Sequence, residues 1–201
     1  MTRVKVCGLK RPEDMAYANE LLPDYVGFVF AKASKRYVSP ESAAALREQL
    51  SPQIVTVGVF VDEPIEHVAV LLESGVIGMA QLHGAETAEY IRALRSKSHA
   101  PIIQAFRIAS RDDVLRAEQS QADYILLDHG AGGTGESFDW SLLDGIKRPF
   151  LLAGGLSAEN VGEAIARYKP FAVDSSSKLE TDGLKDYNKM KAFVEAIRQN
   201  G

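Results

Sequence analysis

Apolar residues along this chain come in short runs, and between the runs they return only every third or fourth position. The runs are RVKVC, YVGFVF, IVTVGVFV, GMAQLH, PIIQAF, DYILLD, PFLLAGG and FAVD, in that order. Short β-branched or apolar runs predict strands, and the longer spacing between them predicts helices. Helix starts are marked by Pro12 with Glu13 and Asp14, by Ser39 ahead of Pro40 and Glu41, and by Ser157 ahead of Ala158 and Glu159. The last helix is the clearest. Tyr187, Met190, Val194 and Ile197 form an apolar stripe, while Lys189, Lys191, Glu195 and Arg198 take the remaining surface.

Alternating strands and helices predict repeated β-α units around a parallel sheet. Eight units in 201 residues leave about 25 residues each, near the small end for a closed barrel. An open doubly wound sheet is the alternative. None of the runs has the polar character of a sheet edge, and the chemically informative residues fall just after strands all along the chain, which favours closure. The expected fold is therefore α/β, a single (β/α)8 TIM barrel over residues 1–201 forming one catalytic domain. No Pro/Gly/Ser linker or low-complexity tract interrupts the alternation.

Composition narrows the partners. With 27 acids against 23 bases and a net charge of −4, there is no electrostatic footprint for nucleic acid or an anionic membrane, so a small molecule is expected. The single cysteine cannot close an internal disulfide, and no apolar run is long enough to span a bilayer. A reducing cytoplasm is the expected compartment. No cofactor or metal is expected, and oligomeric state leaves no mark in the pattern.

Active sites of such barrels assemble at the carboxyl ends of the strands. The first strand ends in Cys7, followed by Gly8; strand parity sets Lys5 and Cys7 toward the axis, with Val4 and Val6 toward the helices. In the sixth strand Tyr124, Leu126 and Asp128 share the inward face. Thiol and carboxylate would then face each other across the mouth, as a base and an acid must around a substrate. By itself Cys7 reads more readily as a small buried hydrophobe, and Asp128 as a loop cap or partner of a cation.

After Asp128, Gly132, Gly133, Thr134 and Gly135 form a loop able to bring backbone amides to a ligand. Gly154 and Gly155 end the seventh strand, and Ser175, Ser176 and Ser177 end the eighth. Loops after these two strands commonly hold phosphate in this architecture, though tight packing and helix capping explain the same residues. Lys32, Lys35 and Arg36 lie after the second strand. A solvated loop explains the run, yet a planar guanidinium is suited to grip a carboxylate. His83, ending QLHG, is readily a hydrogen-bonded structural residue.

VKVCGL, VGFVFAKASKRYVSP, VGVFVDE, QLHG, LLD with GGTGESFDW, LAGGLSAENV, and FAVDSSS with GLKD, in this order, resemble the phosphoribosylanthranilate isomerase family of tryptophan biosynthesis. The resemblance covers nearly the whole chain. It implies an Amadori rearrangement of N-(5-phosphoribosyl)anthranilate to its aminoketose. On the matching positions, Asp128 resembles the general acid for the furanose ring oxygen, Cys7 the base that takes the C2 proton, and Arg36 the holder of the anthranilate carboxylate. The candidate substrate-binding set is Arg36, His83, Gly133, Gly154, Gly155, Ser175 and Ser176.

Ordinary values of about 3.9 for Asp and about 8.5 for Cys leave both groups in the wrong state at neutral pH, so burial, the phosphate and Lys5 are expected to shift them. One departure stands out: the family reads SSG where Ser176 and Ser177 are here followed by Lys178. Two other readings compete with the isomerase. An aldolase needs an inward lysine at a strand end, whereas Lys5 lies deeper; a metal-dependent epimerase needs more ligands than His83 and Asp128. A catalytically dead barrel kept for binding is opposed by the presence of both Cys7 and Asp128.

Overall fold

The structure, a computed structural model, describes residues 1–128 and 139–201. Eight parallel strands close into a barrel in chain order: β1 (Arg3–Cys7), β2 (Tyr25–Val29), β3 (Val55–Phe60), β4 (Met79–Leu82), β5 (Ile102–Arg107), β6 (Tyr124–Asp128), β7 (Phe150–Leu152) and β8 (Ala172–Ser175). The closing pair sets Val4 against Val173 and Lys5 against Asp174, so no edge remains. Six helices follow strands one to five and seven: α1 (Pro12–Leu21), α2 (Pro40–Arg47), α3 (Ile65–Glu73), α4 (Ala88–Lys97), α5 (Arg111–Glu118) and α6 (Val161–Tyr168). A final helix, α7 (Tyr187–Asn200), packs beside α1 and α6. After β6 the described chain holds a 3₁₀ turn, Trp140–Leu143, in place of a full helix.

Side-chain parity divides the core as expected. Val4, Val6, Phe28, Leu82 and Leu152 belong to the large cluster between sheet and helices. Tyr25, Val57, Met79, Ile103, Leu126 and Leu151 fill the barrel interior. Above them Cys7, Val29 and Val59 make a small apolar collar at the mouth. Each fully buried Leu, Ile or Phe contributes about 1.5–3 kcal/mol, so the outer layer supplies most of the stability and the inner layers set the shape of the site.

Local signals mostly act where the sequence puts them. Pro12 occupies the first turn of α1, and Ser39 Oγ accepts from the Ser42 amide at 3.2 Å, a cap worth about 1 kcal/mol. The helix expected from Ser157 begins later, at Val161. There Asn160 Oδ1 accepts from the Ser157 amide at 2.9 Å and its Nδ2 donates to the Gly155 carbonyl at 3.1 Å, which holds a turn ahead of the helix. β7 is likewise shorter than PFLLAGG, because Gly154 and Gly155 adopt φ of 87° and 67° and turn the chain out of the sheet. No helix among the described residues is long and apolar enough to cross a membrane.

Candidate active site

Cys7, Arg36, His83, Asp128, Gly154, Gly155, Ser175 and Ser176 all line one pocket at the carboxyl ends of the strands. Gly133, with Gly132, Thr134 and Gly135, lies outside the described residues. Cys7 and Asp128 stand on β1 and β6, separated around the ring by β8 and β7, and both are nearly buried at 8% and 7% exposure.

Around Cys7 the fold leaves little room. Gly27, its register neighbour on β2, is forced: a Cβ there would lie 2.6 Å from Cys7 Sγ. Below the thiol, Lys5 is wholly buried and its Nζ donates to Asp174 Oδ2 at 2.8 Å. Asp174 Oδ1 is buried with no hydrogen-bond partner among the described residues, although Asp174 reaches the pocket wall. This pairing changes the expected electrostatics. Burial pushes the Cys7 thiol up, and although Lys5 and Lys185 pull it down, Asp174 opposes them, so the net shift is upward rather than toward thiolate. Lys5 itself is discouraged by burial, but Asp174 and Cys7 overcome that and raise it, keeping it an ammonium.

On the far side, Gln81 Nε2 lies 3.1 Å from His83 Nδ1, and His83 Nε2 lies 3.7 Å from Asp128 Oδ2. Burial first and the charge of Lys5 second lower the His83 pKa, so the ring is neutral. An amide nitrogen only donates, so Nδ1 accepts and the ring proton sits on Nε2, facing Asp128. The separation exceeds a hydrogen bond. His83 is thus a neutral ring that faces the Asp128 carboxyl beyond hydrogen-bond distance of it.

Arg36 is not part of a solvated basic loop. Lys32 and Lys35 are exposed, whereas Arg36 is 8% exposed and its guanidinium grips Glu180 through Nε at 2.6 Å and Nη2 at 2.9 Å. Arg36 does line the pocket, and one edge of its guanidinium is already taken by Glu180. The serine hydroxyls expected at the phosphate are also committed: Ser175 Oγ donates to the Leu156 carbonyl at 2.6 Å and Ser176 Oγ to that of Cys7 at 2.9 Å. Ser177 and Lys178 line the same pocket wall. Ser177 and Lys178 open a 3₁₀ turn, Ser177–Leu179, and their amides have no acceptor within it.

Sequence reasoning passed over Glu180, Lys185, Asp174, Gly8 and Gly27. Gly8 carries φ of 81°, and a Cβ there would meet Arg36 Cδ at 2.4 Å. The glycine after the cysteine and the lysine of GLKD were visible as residues, but their partners are far off in the chain.

The sequence profile of the family described as N-(5'phosphoribosyl)anthranilate (PRA) isomerase matches residues 4–196. This chain belongs to that family. The N-(5'-phosphoribosyl)anthranilate isomerase of Caldanaerobacter subterraneus subsp. tengcongensis is 45% identical over 204 residues, covering 98% of each chain. The crystal structure of phosphoribosyl anthranilate isomerase from Thermotoga maritima is 38% identical and superposes with a TM-score of 0.91 over 99% of this chain and 100% of the other. A second isomerase structure, 37% identical with a TM-score of 0.88 over 99% of this chain and 100% of its own, is a complex with reduced 1-(o-carboxyphenylamino)-1-deoxyribulose 5-phosphate. The ligand of that complex carries a carboxyphenyl group at one end and a phosphate at the other.

Proposed function

We propose that this chain converts N-(5'-phosphoribosyl)anthranilate to 1-(2-carboxyphenylamino)-1-deoxyribulose 5-phosphate, with Asp128 as general acid and Cys7 as general base. The observation that carries the reading is the placement of these two inward groups on opposite sides of one pocket that also holds Arg36 and the amides after β8. Asp128 gives its proton to the furanose ring oxygen as the C1–O bond breaks, and the anilino nitrogen lone pair forms an iminium. Cys7, as thiolate, then removes the C2 proton, and the electron pair returns to the iminium to give an enolamine that tautomerises to the ketone. Arg36 binds the anthranilate carboxylate, and the amides of Gly155, Ser177 and Lys178 take the phosphate.

Loss of fluorescence from freshly prepared substrate tests this directly. Wild type should consume it. Cys7→Ser should lower kcat on the order of 10²-fold with little change in KM, since proton abstraction belongs to the transition state. Asp128→Asn should be at least as damaging, because an amide cannot supply the proton; full activity in either variant removes that residue from its role.

A further inference from the structure

We propose that Glu180 is a positioning residue that fixes which edge of the Arg36 guanidinium meets the substrate carboxylate, with Lys185 holding Glu180 in place. The inference rests on the reading of Arg36 given above. A guanidinium offers two edges with paired, parallel N–H groups: one formed by Nε and Nη2, the other by Nη1 and Nη2. Glu180 fills the first, accepting from Nε at 2.6 Å on Oε1 and from Nη2 at 2.9 Å on Oε2. A second carboxylate can then be held by two bonds along the Nη1/Nη2 edge alone.

The arrangement is rigid on both sides. Glu180 and Lys185 are register partners in a two-stranded hairpin, β9 (Glu180–Thr181) with β10 (Leu184–Lys185). Lys185 Nζ donates to Glu180 Oε1 at 2.8 Å and to the Ser176 carbonyl at 2.9 Å. Glu180 thus accepts three charge-assisted bonds and has no freedom to swing. The side chains of Arg36, Glu180 and Lys185 are 10%, 6% and 1% exposed. The stem of Arg36 lies against Gly8, where any Cβ would collide with its Cδ at 2.4 Å. Charge is matched as well as shape. Two cations against one anion leave one positive charge for one carboxylate; without Glu180, Arg36 and Lys185 would repel each other and the guanidinium would turn its vacated edge elsewhere.

The test compares dissociation constants of two ligands: the reduced product analogue, and its counterpart lacking the ring carboxylate. Their ratio measures carboxylate recognition. In wild type the ratio should be on the order of 100-fold, as expected of a two-bond ionic grip. Arg36→Met should bring it to near unity. Glu180→Gln should cut it by about tenfold or more, with kcat changed less than about threefold, and should have no further effect on the ratio when combined with Arg36→Met. A purely structural Glu180 would weaken both ligands equally and leave the ratio intact. If Arg36→Met keeps the wild-type ratio, the reading of Arg36 fails and the inference with it. If Arg36→Met abolishes the ratio while Glu180→Gln preserves it, the inference alone is overturned. Glu180→Asp keeps the charge but withdraws it by one methylene; it should give an intermediate ratio, and a wild-type ratio there also overturns the proposal, so the outcome does not depend on the glutamine variant folding.

Discussion

Cys7 stands between opposing influences: removal from water favours the neutral thiol, and two buried ammonium groups favour the thiolate. Burial wins because Asp174 neutralises the nearer ammonium, Lys5, at 2.8 Å. The base form is therefore scarce at neutral pH in the free protein, and more of it appears as pH rises. We expect the rate of alkylation of Cys7 by iodoacetamide to climb through neutrality without levelling at the ordinary cysteine value. A plateau below that value would show that the ammonium groups dominate instead. The inward direction of Cys7 and Asp128 was readable from strand parity, since each strand is short and bounded. The sign of the thiol shift was not, because it depends first on burial within the closed barrel and then on Asp174, a residue at the opposite end of the chain.

At the scale of elements, the turn after β8 bears on the departure from the family. Lys178 sits inside the 3₁₀ turn Ser177–Leu179 with a side chain that is exposed and at the pocket wall, and its φ is not positive. The backbone here does not require glycine. An ammonium at a partly solvated anion site is worth on the order of 1 kcal/mol and weakens with salt. Lys178→Gly is therefore expected to leave kcat nearly unchanged, shift KM less than about tenfold, and flatten the dependence of KM on ionic strength. Parallel salt slopes for wild type and variant would show that the ammonium does not reach the phosphate. The strands and α7 were legible because their periodicity is local. The start of α6 was not, since the Asn160 side chain bonds back to the Ser157 amide and the Gly155 carbonyl and holds a turn there, a contact that depends on where Gly155 leaves the barrel.

For the whole molecule, barrel closure brings Arg36 to Glu180 across 144 positions of sequence. Burial by itself would raise the Glu180 carboxyl, but the hydrogen bonds from Arg36 and Lys185 overcome it and hold it down to about 2 from an ordinary 4.5. A carboxyl whose folded pKa is depressed adds stability that is complete above its unfolded value and is lost as pH falls through its folded value. The gap in Tm between wild type and Glu180→Gln should therefore be widest above about pH 4.5 and shrink as pH falls toward 2, which melts across that range will show. A gap that stays constant would mean the pair contributes through packing rather than charge.

The sequence by itself determined the alternation of strands and helices, the inward parity of Lys5, Cys7 and Asp128, and the motifs that mark the family. These depend on neighbours a few positions apart, where steric and hydrophobic periodicity acts directly. The tertiary structure alone decided which polar groups meet: Lys5 with Asp174, Arg36 with Glu180, and the Ser176 hydroxyl with the Cys7 carbonyl. Each of these pairs joins distant segments through ring closure, and Coulomb and hydrogen-bond energies depend on separations in space that no local pattern encodes.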